Sequence, residues 1–140
     1  MSRVKIEMPE NYIFSTEIKI RINDINYGGH LGNDSLLSII HEARLQFLNN
    51  FGYSEIEIEG AALIMADSSI IYKSEGFYGD VLQIQINAGD FTKCGFDLYY
   101  NILNKKSRKQ VAAAKTGLVF FDYSKRKIQE VPEKFKNLFL

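Results

Sequence analysis

From about Ser35 to Phe51, apolar residues recur at helical spacing: Leu36, Ile40, Ala43, Phe47 and Phe51, with Leu37, Ile39 and Leu48 widening the stripe. Asn33 or Asp34 offers an N-cap, and Gly52 stands where a C-terminal cap belongs. So broad an apolar face has to be covered by other structure, and the rest of the chain supplies strands to cover it. Tyr12 to Ile22 alternates Ile18, Ile20 and Ile22 with Glu17, Lys19 and Arg21, the pattern of a half-buried strand. Four further strand-like runs lie near Leu63 to Lys73, Val81 to Phe91, Gly95 to Asn104 and Gln110 to Tyr123, separated by glycines and by the polar stretch NKKSRKQ. Short connections between consecutive runs predict antiparallel meander pairing, and a short helix is expected after Pro132. The plan is α+β, with a curved antiparallel sheet around one long helix.

The chain has 140 residues, 46% of them hydrophobic, which predicts one domain spanning 1–140 with a substantial core and no need of disulfides or structural metal. Seventeen basic residues balance seventeen acidic ones, which argues against a nucleic-acid backbone or a membrane surface as the main partner. The single cysteine, Cys94, cannot form an internal disulfide or a Cys-based zinc site, and a reducing cytoplasm fits it. We expect no signal peptide and no membrane span, because the opening residues lack a sustained apolar segment and no run approaches about 18 apolar residues. One helix cannot cover both faces of such a sheet, and strand edges stay open, so a homo-oligomer is expected.

Most of the chemical signal lies in DINYGGHLGND, residues 24–34, and in the helix that follows. Backbone N–H groups at a helix start, made approachable by Gly28, Gly29 and Gly32, can polarise a carbonyl or hold a developing oxyanion. The same glycines equally serve a tight turn, and the spacing is neither that of a dinucleotide loop nor that of a P-loop. His30 in the turn and His41 on the helix have no third ligand at metal-binding spacing, so no metal site is expected. Glu42 lies beside the apolar stripe, where partial burial would suit a general base, although an exposed residue or an ion pair with Arg44 is the plainer reading. Asp67, inside LIMADSSIIY, is a second candidate carboxylate, with a strand end or a bulge as its plainer reading. Lys105, Lys106, Arg108 and Lys109, with Lys125 to Lys127, are read as solvated turns that could also meet a phosphorylated ligand tail.

The order of strand, Asp24-x-Asn26-x-x-Gly29-His30-Leu31-x-Asn33, helix with Glu42-Ala43-Arg44, then Ile70 and Tyr72, Gly79-Asp80 and Thr116 to Asp122 resembles the 4-hydroxybenzoyl-CoA thioesterase-like branch of the hotdog-fold acyl-CoA thioesterases. The resemblance runs from Phe14 to Pro132. It implies a five-stranded antiparallel sheet wrapped around the helix, assembly into homodimers that commonly form homotetramers, and an active site between protomers. In that family the second acidic position of the turn is the catalytic carboxylate, and here that position is Asn26. Asparagine can hold water or a thioester by hydrogen bonds but cannot serve as a base.

The resemblance then implies hydrolysis of an acyl-CoA to free acid and CoA, without bound cofactor or metal. The carbonyl would sit at the helix start near Asn33, and Glu42, with Asp67 in reserve, would activate water. Asn26 and His30 would orient water or carbonyl, and the turn residues Tyr27, Gly28, Gly29 and Gly32 would meet the substrate. Two other functions compete: a non-catalytic acyl-CoA binder or sensor, in which Asn26 marks lost chemistry, and a thioesterase acting on acyl carrier protein.

Overall fold

The computed structural model describes residues 3–140. Period-two alternation yields β1 (Phe14–Lys19), β2 (Ala62–Tyr72), β3 (Val81–Gly89), β4 (Gly95–Asn104) and β5 (Gln110–Asp122), within a residue or two of the expected runs except where β1 and β3 end early. A two-residue strand, β6 (Lys127–Ile128), pairs with the end of β5 and has no counterpart in the sequence reading. β1 stops at Lys19 because residues Ile22–Asp24 wind into a 3-10 turn, which leaves Ile22 exposed rather than in line with Ile18 and Ile20.

The long helix, α1 (Asn33–Asn50), begins two residues before the expected start, and its N-cap is Gly32, not Asn33 or Asp34. Glycine offers no side-chain oxygen, so nothing caps the first turn. At the other end Gly52 has φ +82, and Tyr53 N–H reaches back to Leu48 O at 3.0 Å, closing the helix with a left-handed residue that glycine adopts without strain. Leu36, Ile39, Ile40, Ala43, Phe47 and Leu48 are buried against the sheet, with Arg44 among them. Leu37, one step of about 100° around the helix from Leu36, lies off the stripe and is 45% exposed.

The sheet order is β1-β3-β4-β5-β2. Meander pairing therefore holds for β3, β4 and β5 but fails for β2, which pairs with β5 at the far edge. α1 lies across the concave face between β1 and β2, so the chain emerges at the opposite edge, and residues 73–80 must return across the ends of β5 and β4. Eight extended residues reach about 26 Å, ample for three strand spacings of about 4.8 Å. Val111 O anchors this crossover by accepting Lys73 N–H at 2.8 Å, and Gly76 O accepts Leu31 N–H at 2.8 Å. At Gly76 a Cβ would stand 2.8 Å from Ile20 Cδ1 and 3.4 Å from Leu31 Cβ, so a larger residue would push the end of the Ile20 side chain aside where the crossover passes the turn before α1.

Opposite the start of α1 the core closes on aromatic rings. The short helix α2 (Glu133–Lys136) inserts Phe135, fully buried, against Phe96, Phe120 and Phe139. β2 is left as a sheet edge along 11 residues, with Ile64, Met65 and Tyr72 exposed on it.

Candidate active site

The turn before α1 is held by its own polar groups. Asp24 is buried, its Oδ2 accepts Arg21 N–H at 2.8 Å, and its carbonyl accepts Gly32 N–H at 2.9 Å. Asn26 N–H donates to His30 O at 2.8 Å, while Asn26 Oδ1 accepts the N–H of Gly28 at 2.9 Å and of His30 at 3.3 Å. The Asn26 side chain is thus the clasp of the turn. Tyr27 is fully exposed, and Gly28 and Gly29 lie in the exposed outer part of the same turn.

Two features converge at the start of α1. The first intrahelical bond runs from Leu36 N–H to Gly32 O at 3.1 Å, so the N–H groups of Asn33, Asp34 and Ser35 have no partner among the described residues. Beside them opens a cavity of about 280 Å³, walled by His30, Gly32, Asn33, Tyr72, Glu75 and Gly76 and floored by Leu31, Leu36 and Val111. His30 Nε2 faces Glu75 Oε1 at 3.8 Å, and the Phe77 ring stands edge-on to the imidazole at 6.4 Å. Unpaired donors at the positive end of an 18-residue helix, next to an apolar floor, suit a polarised carbonyl with its acyl group in the cavity.

Of the residues singled out from sequence, His30, Gly32 and Asn33 meet at this cavity. Asn26 shapes the turn behind it. Glu42 lies elsewhere: it is exposed, accepts a hydrogen bond from Gln46 Nε2 at 2.6 Å, and lines a separate groove with Ile18, Asp24 and Ser38. Its carboxylate pairs with no arginine, because Arg44 turns the other way. Asp67 is also exposed and sits on a β-bulge between Met65 and Asp67, where Oδ1 accepts Gly117 N–H at 3.1 Å and meets Lys115 Nζ at 3.4 Å. Glu75 was not foreseen. It lies on the crossover, whose course follows from the strand order and not from any local motif.

A second polar cluster lies on the β2 side of α1. Arg44, 2% exposed, donates from Nε to Glu55 Oε2 at 3.1 Å and from Nη1 to Tyr100 Oη at 3.3 Å, and Tyr100 Oη is hydrogen-bonded to Thr116 Oγ1 at 2.7 Å. Burial opposes the Arg44 charge, but Tyr100 and Glu55 outweigh it and hold the guanidinium above its ordinary range. Burial pushes the Tyr100 phenol up. At the surface His41 Nε2 meets Glu55 Oε1 at 2.7 Å, and the pair borders a groove of about 570 Å³ with Leu37, Ser38, Leu63, Met65 and Ser68.

The chain matches the model of the thioesterase-like superfamily over residues 20–139. No curated protein sequence matches it significantly. Among solved structures it is similar to a 1,4-dihydroxy-2-naphthoyl-CoA thioesterase from Synechocystis, with TM-score 0.80 and 23% identity over 89% of this chain and 93% of that one. A DHNA-CoA thioesterase from Staphylococcus aureus aligns with TM-score 0.77 and 19% identity, over 89% of this chain and 84% of that one. A gentisyl-coenzyme A thioesterase aligns with TM-score 0.77 and 14% identity, over 88% and 99%. At these identities the shared property is the architecture, the hotdog fold.

Proposed function

The chain belongs to the thioesterase-like superfamily, and from that premise we propose that it hydrolyses an acyl-CoA thioester to the free acid and CoA at the cavity beside the start of α1. The observation that carries this reading is the partnerless N–H of Asn33 in the wall of a cavity with an apolar floor, followed in the first helical turn by the partnerless N–H groups of Asp34 and Ser35. The carbonyl oxygen accepts from this helix start, where charge developing in the tetrahedral intermediate meets fixed donors. The acyl group rests on Leu31, Leu36 and Val111. His30, with Glu75 beside it, orients the thioester and the incoming water at the rim, and Asn26 keeps the turn in shape. Phe77 and Tyr78, both exposed, lead from the rim toward Lys105 and Lys106, a route that suits the phosphates of CoA.

The working unit of this reading is a homodimer formed along β2. A long open edge that carries Ile64, Met65 and Tyr72 in water is a pairing surface, and a two-fold axis makes it self-complementary. Further association into a tetramer is compatible with this pairing.

Thiol release from a panel of short, medium, long and aromatic acyl-CoAs tests the proposal. Turnover on the panel is the expected result. Acyl-CoA binding without turnover would favour a sensor, and turnover on acyl carrier protein alone would move the substrate to that carrier.

A further inference from the structure

The cavity at the helix start holds two groups that can take a proton, His30 and Glu75, but they stand 3.8 Å apart, beyond hydrogen-bond distance, so the carboxylate does not fix the imidazole there. Asn26 cannot take a proton, its oxygen already accepts two backbone N–H groups, and Glu42 opens on the β1 side of α1, away from the cavity. The built acid–base group of this chain lies elsewhere, on the β2 side. Glu55 is gripped at one oxygen by the buried Arg44 and at the other by His41 Nε2, at 3.1 and 2.7 Å. A carboxylate held so firmly fixes the imidazole tautomer: Nε2 carries the proton and donates to Glu55, which leaves Nδ1 as a free acceptor. The His41 side chain is 54% exposed, and no described residue uses its Nδ1.

Relative placement gives this pair its meaning. Leu63, Met65 and Ser68, which border the His41 groove, and Tyr72, which borders the cavity, all point to the helix side of β2, because they face Phe120, Leu118, Thr116 and Ala112, all buried. Antiparallel pairing of this edge with a second copy brings Tyr72 level with the start of the partner's β2, and because residues facing each other across an antiparallel pair share a face, its neighbour there is the partner's Leu63, not the partner's Ala62. A two-fold axis perpendicular to the sheet keeps both helix sides on one face. The partner's groove, which the partner's Leu63 and the partner's His41 border, then adjoins Tyr72 and its cavity across the seam between the two β2 strands.

We propose that His41, braced by Glu55, is the general base of thioester hydrolysis and acts in the cavity of the opposite copy. This inference rests on the thioesterase and dimer readings above. The partner's His41 Nδ1 takes a proton from water as the water oxygen bonds to the carbonyl carbon. The carbonyl electron pair moves to the oxygen held at Asn33. Collapse breaks the C–S bond, and the imidazolium returns its proton to the leaving thiolate, so one water and one thioester give one acid and one thiol. Glu55 stabilises the imidazolium between the two steps.

Two experiments on the full-length chain test this. In the first, His41→Asn and His41→Gln are compared with the wild type. The expected result is a loss in kcat of about a hundredfold or more with KM little changed, and a rising limb in the pH dependence of kcat/KM that disappears in the variants. A merely structural role for this exposed side chain would not move the pH profile. In the second, His41→Asn and Asn33→Pro chains, each expected to be about a hundredfold less active alone, are co-expressed. Action across the dimer restores one intact site per mixed dimer, about a quarter of the wild-type sites at equal amounts. Action within one chain restores none and overturns the proposal. So does thiol release that persists in both His41 variants, or a loss of well over tenfold in Glu42→Gln that leaves the pH profile unchanged. No thiol release by the wild type overturns the thioesterase reading itself, and with it this inference.

Discussion

Arg44 Nε stands 3.1 Å from Glu55 Oε2, with 3% of the arginine side chain exposed and 23% of the glutamate side chain exposed. The pair joins the middle of α1 to the loop that feeds β2. Removing one partner strands a charge that the fold has already desolvated. Arg44→Ala should cost about 3 kcal/mol, the lower end for a broken buried pair, because Glu55 keeps some solvent and His41. Urea unfolding measures it, and a cost below about 1 kcal/mol would show that the network does not brace the helix.

Asn33→Pro removes one of the three free donors at the start of α1 and leaves the helix intact. Asn33 is the first helical residue, where proline fits, and Gly32 at φ −77 and ψ 150 already has the extended backbone that a following proline requires. The expected result is unchanged unfolding and a fall in kcat of about a hundredfold, the size seen when one oxyanion donor is lost. Near-normal turnover would move the carbonyl away from this N–H.

Phe135 closes the far end of the core with rings at 5.0 Å from Phe96, 5.4 Å from Phe120 and 5.1 Å from Phe139. Phe135→Ala should destabilise the protein by about 3–5 kcal/mol. The kinetics of thiol release at low temperature should be preserved, since the cavity lies at the other end of α1. A denaturant midpoint close to the wild type would make the C-terminal helix dispensable to the core.

Alkaline stability should fall from about pH 10 upward. Burial, aided by the Glu59 carboxylate, raises the Tyr53 phenol to about 12. Burial also raises Tyr99, with Asp90 adding to it, and raises Tyr100. Each folded-state pKa exceeds the unfolded value of about 10, so the unfolded chain releases these protons first and gains stability relative to the native state as pH climbs. The contribution is complete below pH 10 and is lost through the folded pKa values. Denaturant unfolding at pH 8 and at pH 11 checks it, and Tyr53→Phe should flatten part of the slope. Equal stability at both pH values would contradict the raised phenols.

The strands and helix were legible because each carries a period that its burial enforces: Leu82, Ile84 and Ile86 alternate inward along the expected β3 run, and the α1 stripe is buried from Leu36 to Leu48 except at Leu37. Strand order was not, since connection length alone cannot distinguish a neighbour from a crossover. That loss hid Glu75, which only the crossover brings to His30. The turn was legible as a helix start with exposed donors, but the reading of Asn26 as a residue that orients water or carbonyl did not anticipate that its side-chain oxygen clasps the backbone of Gly28 and His30. Glu42 and His41 are adjacent in sequence yet lie on opposite flanks of α1, a difference of about 100° around the axis that the apolar stripe did not resolve.

Acyl size should be set by the cavity floor. Leu36 and Val111 are 1% and 3% exposed, and Leu31 is 9% exposed, so a chain extending past them must displace core atoms. With about 280 Å³ available, compact acyl groups should be turned over faster than long ones. Val111→Ala opens the floor at the end nearest β5, at a stability cost of about 2 kcal/mol for the buried carbons removed. It should raise kcat/KM for the next longer acyl-CoA relative to the shortest, while Asn33 and His30 keep their geometry. A parallel change for all chain lengths would mean that the acyl group does not rest on Val111, and the floor would then have to be sought along the dimer edge beside Tyr72.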